Sequence, residues 1–101
     1  MKYFVKLSNE AQTDFDNYID HIMFEYAAPL TATQHHDEII EELFELSQMP
    51  YKYSIRHNTS LRQYGIDVRR ANYKKMAIIY TIHHEVVYIH RIIASSMITD
   101  L

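Results

Sequence analysis

Residues 65–94 read GIDVRRANYKKMAIIYTIHHEVVYIHRIIA, and how this stretch divides decides what the rest of the chain must pack against. GIDVRR, KKMAIIYTIH and EVVYIHRIIA read as three successive strands. Ile66 and Val68 share a face of the first, and Met76, Ile78, Tyr80 and Ile82 alternate along the second. On the third, Val87, Ile89, Arg91 and Ile93 form one set, opposite Val86, Tyr88, His90 and Ile92. Both sets are mostly apolar, which predicts a strand covered on both sides. Asn72 tolerates turn geometry between the first pair, and His84 and Glu85 bridge the second. Three strands joined in this way form an antiparallel meander.

The sequence upstream supplies a cover. In KYFVKLS, residues 2–8, Tyr3, Val5 and Leu7 alternate as a strand with one covered face. Ser8 or Asn9 can cap a following helix in which Ala11, Phe15, Tyr18, Ile22 and Tyr26 recur at steps of three and four. Ala27, Ala28 and Pro29 end it. Residues 30–48 predict a second helix, with Ile39, Ile40, Leu43, Phe44 and Leu46 inward and the acids of DEIIEE on the wet side. Pro50 stops it. Residues 51–63 read as a polar connection or an irregular edge strand. The expected fold is α+β: an N-terminal strand and a two-helix hairpin packed on an antiparallel sheet meander, one domain over residues 1–101.

Composition narrows the function classes. The chain has 101 residues, 48% apolar and without cysteine, so disulfide frameworks, thiol nucleophiles and cysteine metal sites are excluded. No apolar run approaches a membrane span and the N-terminus lacks a signal-peptide core, so the expectation is a soluble, cytoplasmic protein with no membrane partner. Glycine and proline total three, which leaves no glycine-rich phosphate loop. The net charge of -3 conceals a division. Residues 8–50 hold ten acids and no Lys or Arg, whereas residues 51–101 hold eight cations and three acids. A basic sheet region beside an acidic helical region can attract an anionic partner despite the acidic total. His35, His36 and Asp37 cluster at a helix start, but no HExxH or Cys/His framework accompanies them, so no metal and no cofactor are expected.

In order, YFVKLSNEAQTDFDNYIDHI, then YGIDVRRANYKKMAIIYTIHHEVVYIHRIIA with Ile78, Tyr80 and Ile82 in its middle strand and the final I-x-R-I, resemble the RelE/ParE superfamily of bacterial type II toxins, especially its ParE-like branch. The resemblance covers nearly the whole chain. It implies a small growth-inhibiting toxin, of the kind tied to plasmid stabilization, neutralised by a cognate antitoxin. Characterised ParE-like members act on DNA gyrase; RelE-like members cut ribosome-bound mRNA. A non-toxic interaction module on the same fold is a third reading. It also suggests the helices as an antitoxin docking surface.

The residues allow both target chemistries. An RNA interferase can use the ribose 2'-hydroxyl as nucleophile, with cations offsetting charge on the phosphorane and an acid and base serving the two oxygens. Arg69, Arg70, Lys74, Lys75 and Arg91 are candidates for phosphate or partner contact, and Arg56 and Arg62 extend the basic face. Tyr73 is the more exposed aromatic for stacking, Tyr80 and Tyr88 fall on inward positions, and His83, His84 or His90 can exchange a proton. Alternation sends Arg69 and Arg70 to opposite faces; Arg69, opposite Val68, is expected on the exposed functional face, and Arg70 beside an acid or the turn. Arg91, among apolar neighbours, needs hydrogen bonds or an acid partner. The segment after the last strand departs from the family: Ala94, Ser95 and Ser96, followed by MITDL, stand where relatives often carry His or Arg. Serines cannot replace that chemistry, which favours the gyrase-binding reading over the nuclease. Catalytic residues and oligomeric state stay open at this point.

Overall fold

A computed structural model of the chain describes residues 2–98. It contains β1 (Phe4–Leu7), α1 (Asn9–Asp20), a π-helical turn (His21–Glu25), α2 (Pro29–Gln48), 3-10 turns at Pro50–Lys52 and Thr59–Tyr64, β2 (Arg69–Tyr73), β3 (Met76–His83), β4 (Val86–Ala94) and a closing 3-10 turn at Ser95–Met97. The sheet runs β1-β4-β3-β2. β2, β3 and β4 form the expected antiparallel meander, and β1 joins its edge parallel to β4, from Phe4 opposite Val86 to Leu7 opposite Ile89. The two helices lie across one face.

Ser8 fixes how strand passes to helix. Its Oγ accepts the Ala11 N–H at 3.0 Å, capping α1, and donates to the His90 carbonyl at 2.8 Å, while its own N–H reaches the Ile89 carbonyl at 2.9 Å. One side chain thus caps a helix and ties it to β4. Ala11, Phe15, Ile19 and Ile22 then meet Ile39, Leu43 and Leu46 of α2 over Ile78, Tyr80, Val87, Ile89 and Ile92. Tyr80 is fully buried and donates to the Pro50 carbonyl at 2.8 Å; burial pushes its hydroxyl pKa up to about 12. A second, smaller core of Leu61, Val68, Ala77 and Ile79 lies on the opposite sheet face, under the Thr59–Tyr64 turn.

Several expectations are corrected. The β2–β3 turn is not at Asn72, which pairs with Ala77 inside the strand; it falls at Lys74–Lys75, with Lys74 in the left-handed region at φ 52°. Asn72 is compatible with a turn, but the cross-strand pairing of Tyr73 with Met76 carries the ladder one residue beyond it. Ile66 does not share a buried face with Val68: it is 82% exposed, because Asp67 at φ 58° breaks the alternation. On β4, Arg91 and Ile93 leave the Val87–Ile89 set. The pairing steps from Ile79 opposite Arg91 to Tyr80 opposite Ile89, so His90 is an extra residue and Ile92 takes the next core position. Ile40 and Phe44 are exposed, since the buried stripe of α2 is narrower than its apolar content, and Tyr26 is exposed because α1 gives way to the π-helical turn before reaching it. Tyr88 is half-buried, edge-on to His83, and belongs to neither core. His35 and His36 sit within α2 rather than at its start. Residues 51–63 contribute a single bridge, Ile55 to Arg69, and otherwise turns.

Candidate target-binding site

The segment that the sequence left ambiguous builds a groove on the sheet face opposite the helices. After the Ile55–Arg69 bridge, the Arg56 N–H bonds the Val68 carbonyl at 2.8 Å and holds the incoming chain along the start of β2. The Thr59–Tyr64 turn then folds Leu61 onto Val68, both nearly inaccessible. Gly65 reverses the chain at φ 126°, a conformation other residues rarely adopt, and Asp67 follows in the left-handed region. Between these pieces opens a groove of about 480 Å³, with Leu61 and Val68 in its floor and Arg56, His57 and Arg62 around it. Asp67 is the single acid in its lining, and Ile66 stands exposed at its lip. Among the described residues neither Arg56 nor Arg62 enters an ion pair. The arrangement offers two unspent guanidinium forks over an apolar floor, suited to carboxylates or phosphates flanked by apolar groups.

The remaining candidates divide between engaged and peripheral groups. Arg69 is not on an open face. It shares the helix-covered side with Ala71 and Tyr73, where it donates to the Tyr53 carbonyl and lies 5.0 Å from the Tyr51 ring centre. The expectation failed because Val68 itself is covered, by the second core, so facing away from Val68 means facing the helix layer. Arg70 shares the groove's sheet face; its Nε bonds the Asn72 side chain at 2.8 Å, and among the described residues it forms no ion pair. Tyr73 is buried rather than exposed and donates to Glu38 at 2.6 Å. Burial, then that hydrogen bond, raise its pKa, and the same bond holds Glu38 below the usual carboxylate value. Lys74 and Lys75 are exposed at the turn, away from the groove.

His90 and Arg91 flank the bulge. Nε2 of His90 shares a 2.7 Å hydrogen bond with Thr81, its ring packs 5.5 Å from that of Tyr64, and burial lowers its pKa, helped by nearby His83. Arg91 forms a bidentate pair with Asp14, Nε to Oδ2 at 2.6 Å and Nη2 to Oδ1 at 3.0 Å, and Asp14 also accepts the Ile92 N–H. Glu10 approaches to 3.7 Å. The Asp14 hydrogen bonds raise the guanidinium's pKa further. Sequence reasoning anticipated a partner for Arg91 but missed Asp14, an ordinary wet-side acid by periodicity. It also missed His57 and the Gly65–Asp67 lip, for which the chain's single glycine just before a strand was the available signal.

His83 ends β3 and His84 lies in the β3–β4 turn; both are exposed, and His83 is near enough to His90 to act on its charge. Ser95 and Ser96 form the closing turn, and Thr99–Leu101, the rest of the segment that departs from the family's basic tail, lie outside the described residues. No cluster of three metal-ligating side chains occurs among the described residues, and no helix among them is long and apolar enough to cross a membrane.

Among curated proteins, no relative matches this sequence significantly. Among solved structures, a chain from the chromosomal ParDE TA system of P. aeruginosa superposes with a TM-score of 0.74 at 19% identity, over 92% of this chain and 96% of that one. At that identity the likeness shows the fold. Residues 5–99 match the family described as ParE toxin of type II toxin-antitoxin system, parDE. The chain therefore belongs to the ParE toxin family, the toxin component of a type II toxin–antitoxin pair.

Proposed function

We propose that this toxin inhibits DNA gyrase by binding it, without chemistry of its own, and that the Arg56–Arg62 groove is the contact. The observation that carries this reading is the contrast between spent and unspent cations. Arg69 is held beneath Tyr51 and Tyr53, and Arg91 is bonded by Asp14, whereas Arg56 and Arg62 line an open groove and, among the described residues, form no ion pair. A binding poison needs accessible, preorganised charge beside an apolar anchor; the groove has both. The test is a supercoiling assay with purified gyrase. Wild-type protein is expected to inhibit, and Arg56→Ala/Arg62→Ala to inhibit at least tenfold less while melting as wild type does. Unchanged inhibition by a folded double variant removes the groove from the reading.

One observation favours the nuclease alternative: Tyr64, His90 and Arg91 gather at the bulge, on a small recess that Tyr64 and Arg91 line. Their engagement with Thr81 and Asp14 weighs against it, since a general acid–base pair must be free to reach substrate. Ribosome-bound mRNA that is cut by wild-type protein and left intact by His90→Ala, with gyrase unaffected, selects that alternative. The cognate antitoxin is the partner in either case.

A further inference from the structure

The groove that holds Arg56 and Arg62 is chemically mixed, and the mixture narrows what fits it. Its volume of about 480 Å³ has room for one small organic molecule. Ile66 is 82% exposed in the lining, beside half-buried Ile55 and above the covered Leu61 and Val68, so the apolar part is a ledge against which a flat group can lie. Gly65 contributes a wall of backbone alone, which lets a ring or a phosphoryl group approach the chain closely.

The charged groups are of two kinds. Among the described residues neither Arg56 nor Arg62 forms an ion pair, and Asp67 forms none either, although it lines the same groove. A guanidinium fork takes two oxygens of a phosphoryl group; a carboxylate repels those oxygens and accepts from hydroxyls instead. A wholly anionic ligand would leave Asp67 opposed, and a wholly apolar one would strand both arginines. A molecule with a phosphoryl group at one end, hydroxyls in its middle and a flat ring at the other satisfies all three surfaces. Arg69 is turned into the helix layer and Arg70 is held by Asn72, so the basic site does not extend along β2. That isolation selects a single phosphorylated unit over a polymer.

We propose that this groove binds a ribonucleotide, with its 5'-phosphate at Arg56 and Arg62, its ribose hydroxyls toward Asp67 and its base over Ile66 and Ile55. Since the same groove is the proposed gyrase contact, a bound nucleotide would keep gyrase off. That consequence rests on the gyrase reading; the binding itself does not.

The test is isothermal titration of the full chain with AMP, GMP, 2',3'-dideoxy-AMP, adenosine and inorganic phosphate. AMP or GMP should bind with a Kd below about 1 mM, and at least about tenfold tighter than adenosine or inorganic phosphate. Arg56→Gln/Arg62→Gln should weaken nucleotide binding by about tenfold or more while melting as wild type does. Asp67→Asn keeps a residue that tolerates the left-handed backbone, and should erase the preference for AMP over dideoxy-AMP. Ile66→Ser should bring the affinity for AMP toward that for inorganic phosphate. Absence of saturable nucleotide binding, equal binding of inorganic phosphate, or unchanged binding by the folded arginine variant overturns the proposal. Supercoiling inhibition separates the two readings of the groove. If the arginine variant loses inhibition while wild-type protein binds no nucleotide, the gyrase contact stands and the nucleotide site falls; nucleotide binding that the variant loses while it still inhibits fully does the reverse.

Discussion

Asp14→Ala should destabilise this protein far more than an ordinary wet-side helix substitution. Asp14 accepts from Nε and Nη2 of Arg91 at 2.6 and 3.0 Å and from the Ile92 N–H at 3.0 Å, so its loss strands three donors at once. The side chains are 15% and 25% exposed, which places the pair between surface and core. Removing one partner of a fully buried pair costs about 3–5 kcal/mol; partial water access at Arg91 reduces this to about 2–3 kcal/mol. For a chain of this size that corresponds to a fall in melting temperature of about 10–20 °C. A double-mutant cycle with Arg91→Met, followed by urea denaturation, should return a coupling of about 2 kcal/mol, and Asp14→Leu/Arg91→Met should recover most of the loss because no orphan charge remains. The remaining deficit reflects the Ile92 N–H. A coupling below about 0.5 kcal/mol would show the pair to be solvated, and Arg91 would return to the cations available for a partner.

Acidification should weaken the fold in two stages. His90 has a folded pKa below its unfolded value of 6.5, so the unfolded chain takes up the proton first and stability falls as pH drops below about 6.5. Glu38, also lowered, adds a loss below about 4.5, continuing through its folded pKa. Melting curves from pH 7.5 to 3.5 check both, and His90→Gln should flatten the first stage; an unchanged upper stage in that variant rejects the assignment. Ser8→Ala removes a helix cap that also bonds β4, and should cost about 1–2 kcal/mol in denaturant titrations. Lys74→Gly relieves a left-handed lysine and should stabilise by up to about 1 kcal/mol; a loss of stability would place the ammonium's contact with Tyr73 above the backbone strain.

The sequence carried the architecture because each element announces itself by a period that only one packing satisfies. Alternation in β3 and three-four spacing in α1 survive almost residue for residue, and Ser8 is where a cap belongs. What it hid were the interruptions. A bulge leaves no signature in VVYIHRIIA, where both faces are apolar, so Ile92 and Arg91 exchanged their expected roles. The second core on the far face was equally invisible, because Leu61 and Val68 meet only after Gly65 reverses the chain. That concealed core is why Arg69, the favoured cation, turned out to be pinned. Arg91 was readable in kind, as a cation needing an acid, but not in identity, since a partner 77 positions away follows from tertiary packing alone.

The cations of VRRANYKK therefore do not form one patch. From Val68 at the groove to Lys74 at the turn are six strand steps of about 3.3 Å, or about 20 Å. The Debye length at physiological salt is about 8 Å, so charges at the two ends act almost independently there. Arg69 between them is turned into the helix layer, and Arg70 is held by Asn72, which leaves no continuous track for a polyanion. A nucleic acid lying along β2 would meet separated charges, whereas two protein surfaces could each take one end. On the proposed gyrase-binding reading, Lys74→Gln/Lys75→Gln should leave the salt dependence of supercoiling inhibition unchanged, while Arg56→Gln/Arg62→Gln lowers it. If the lysine variant reduced that salt dependence as much as the arginine variant, the ends would be acting together and a single extended anionic ligand would be required.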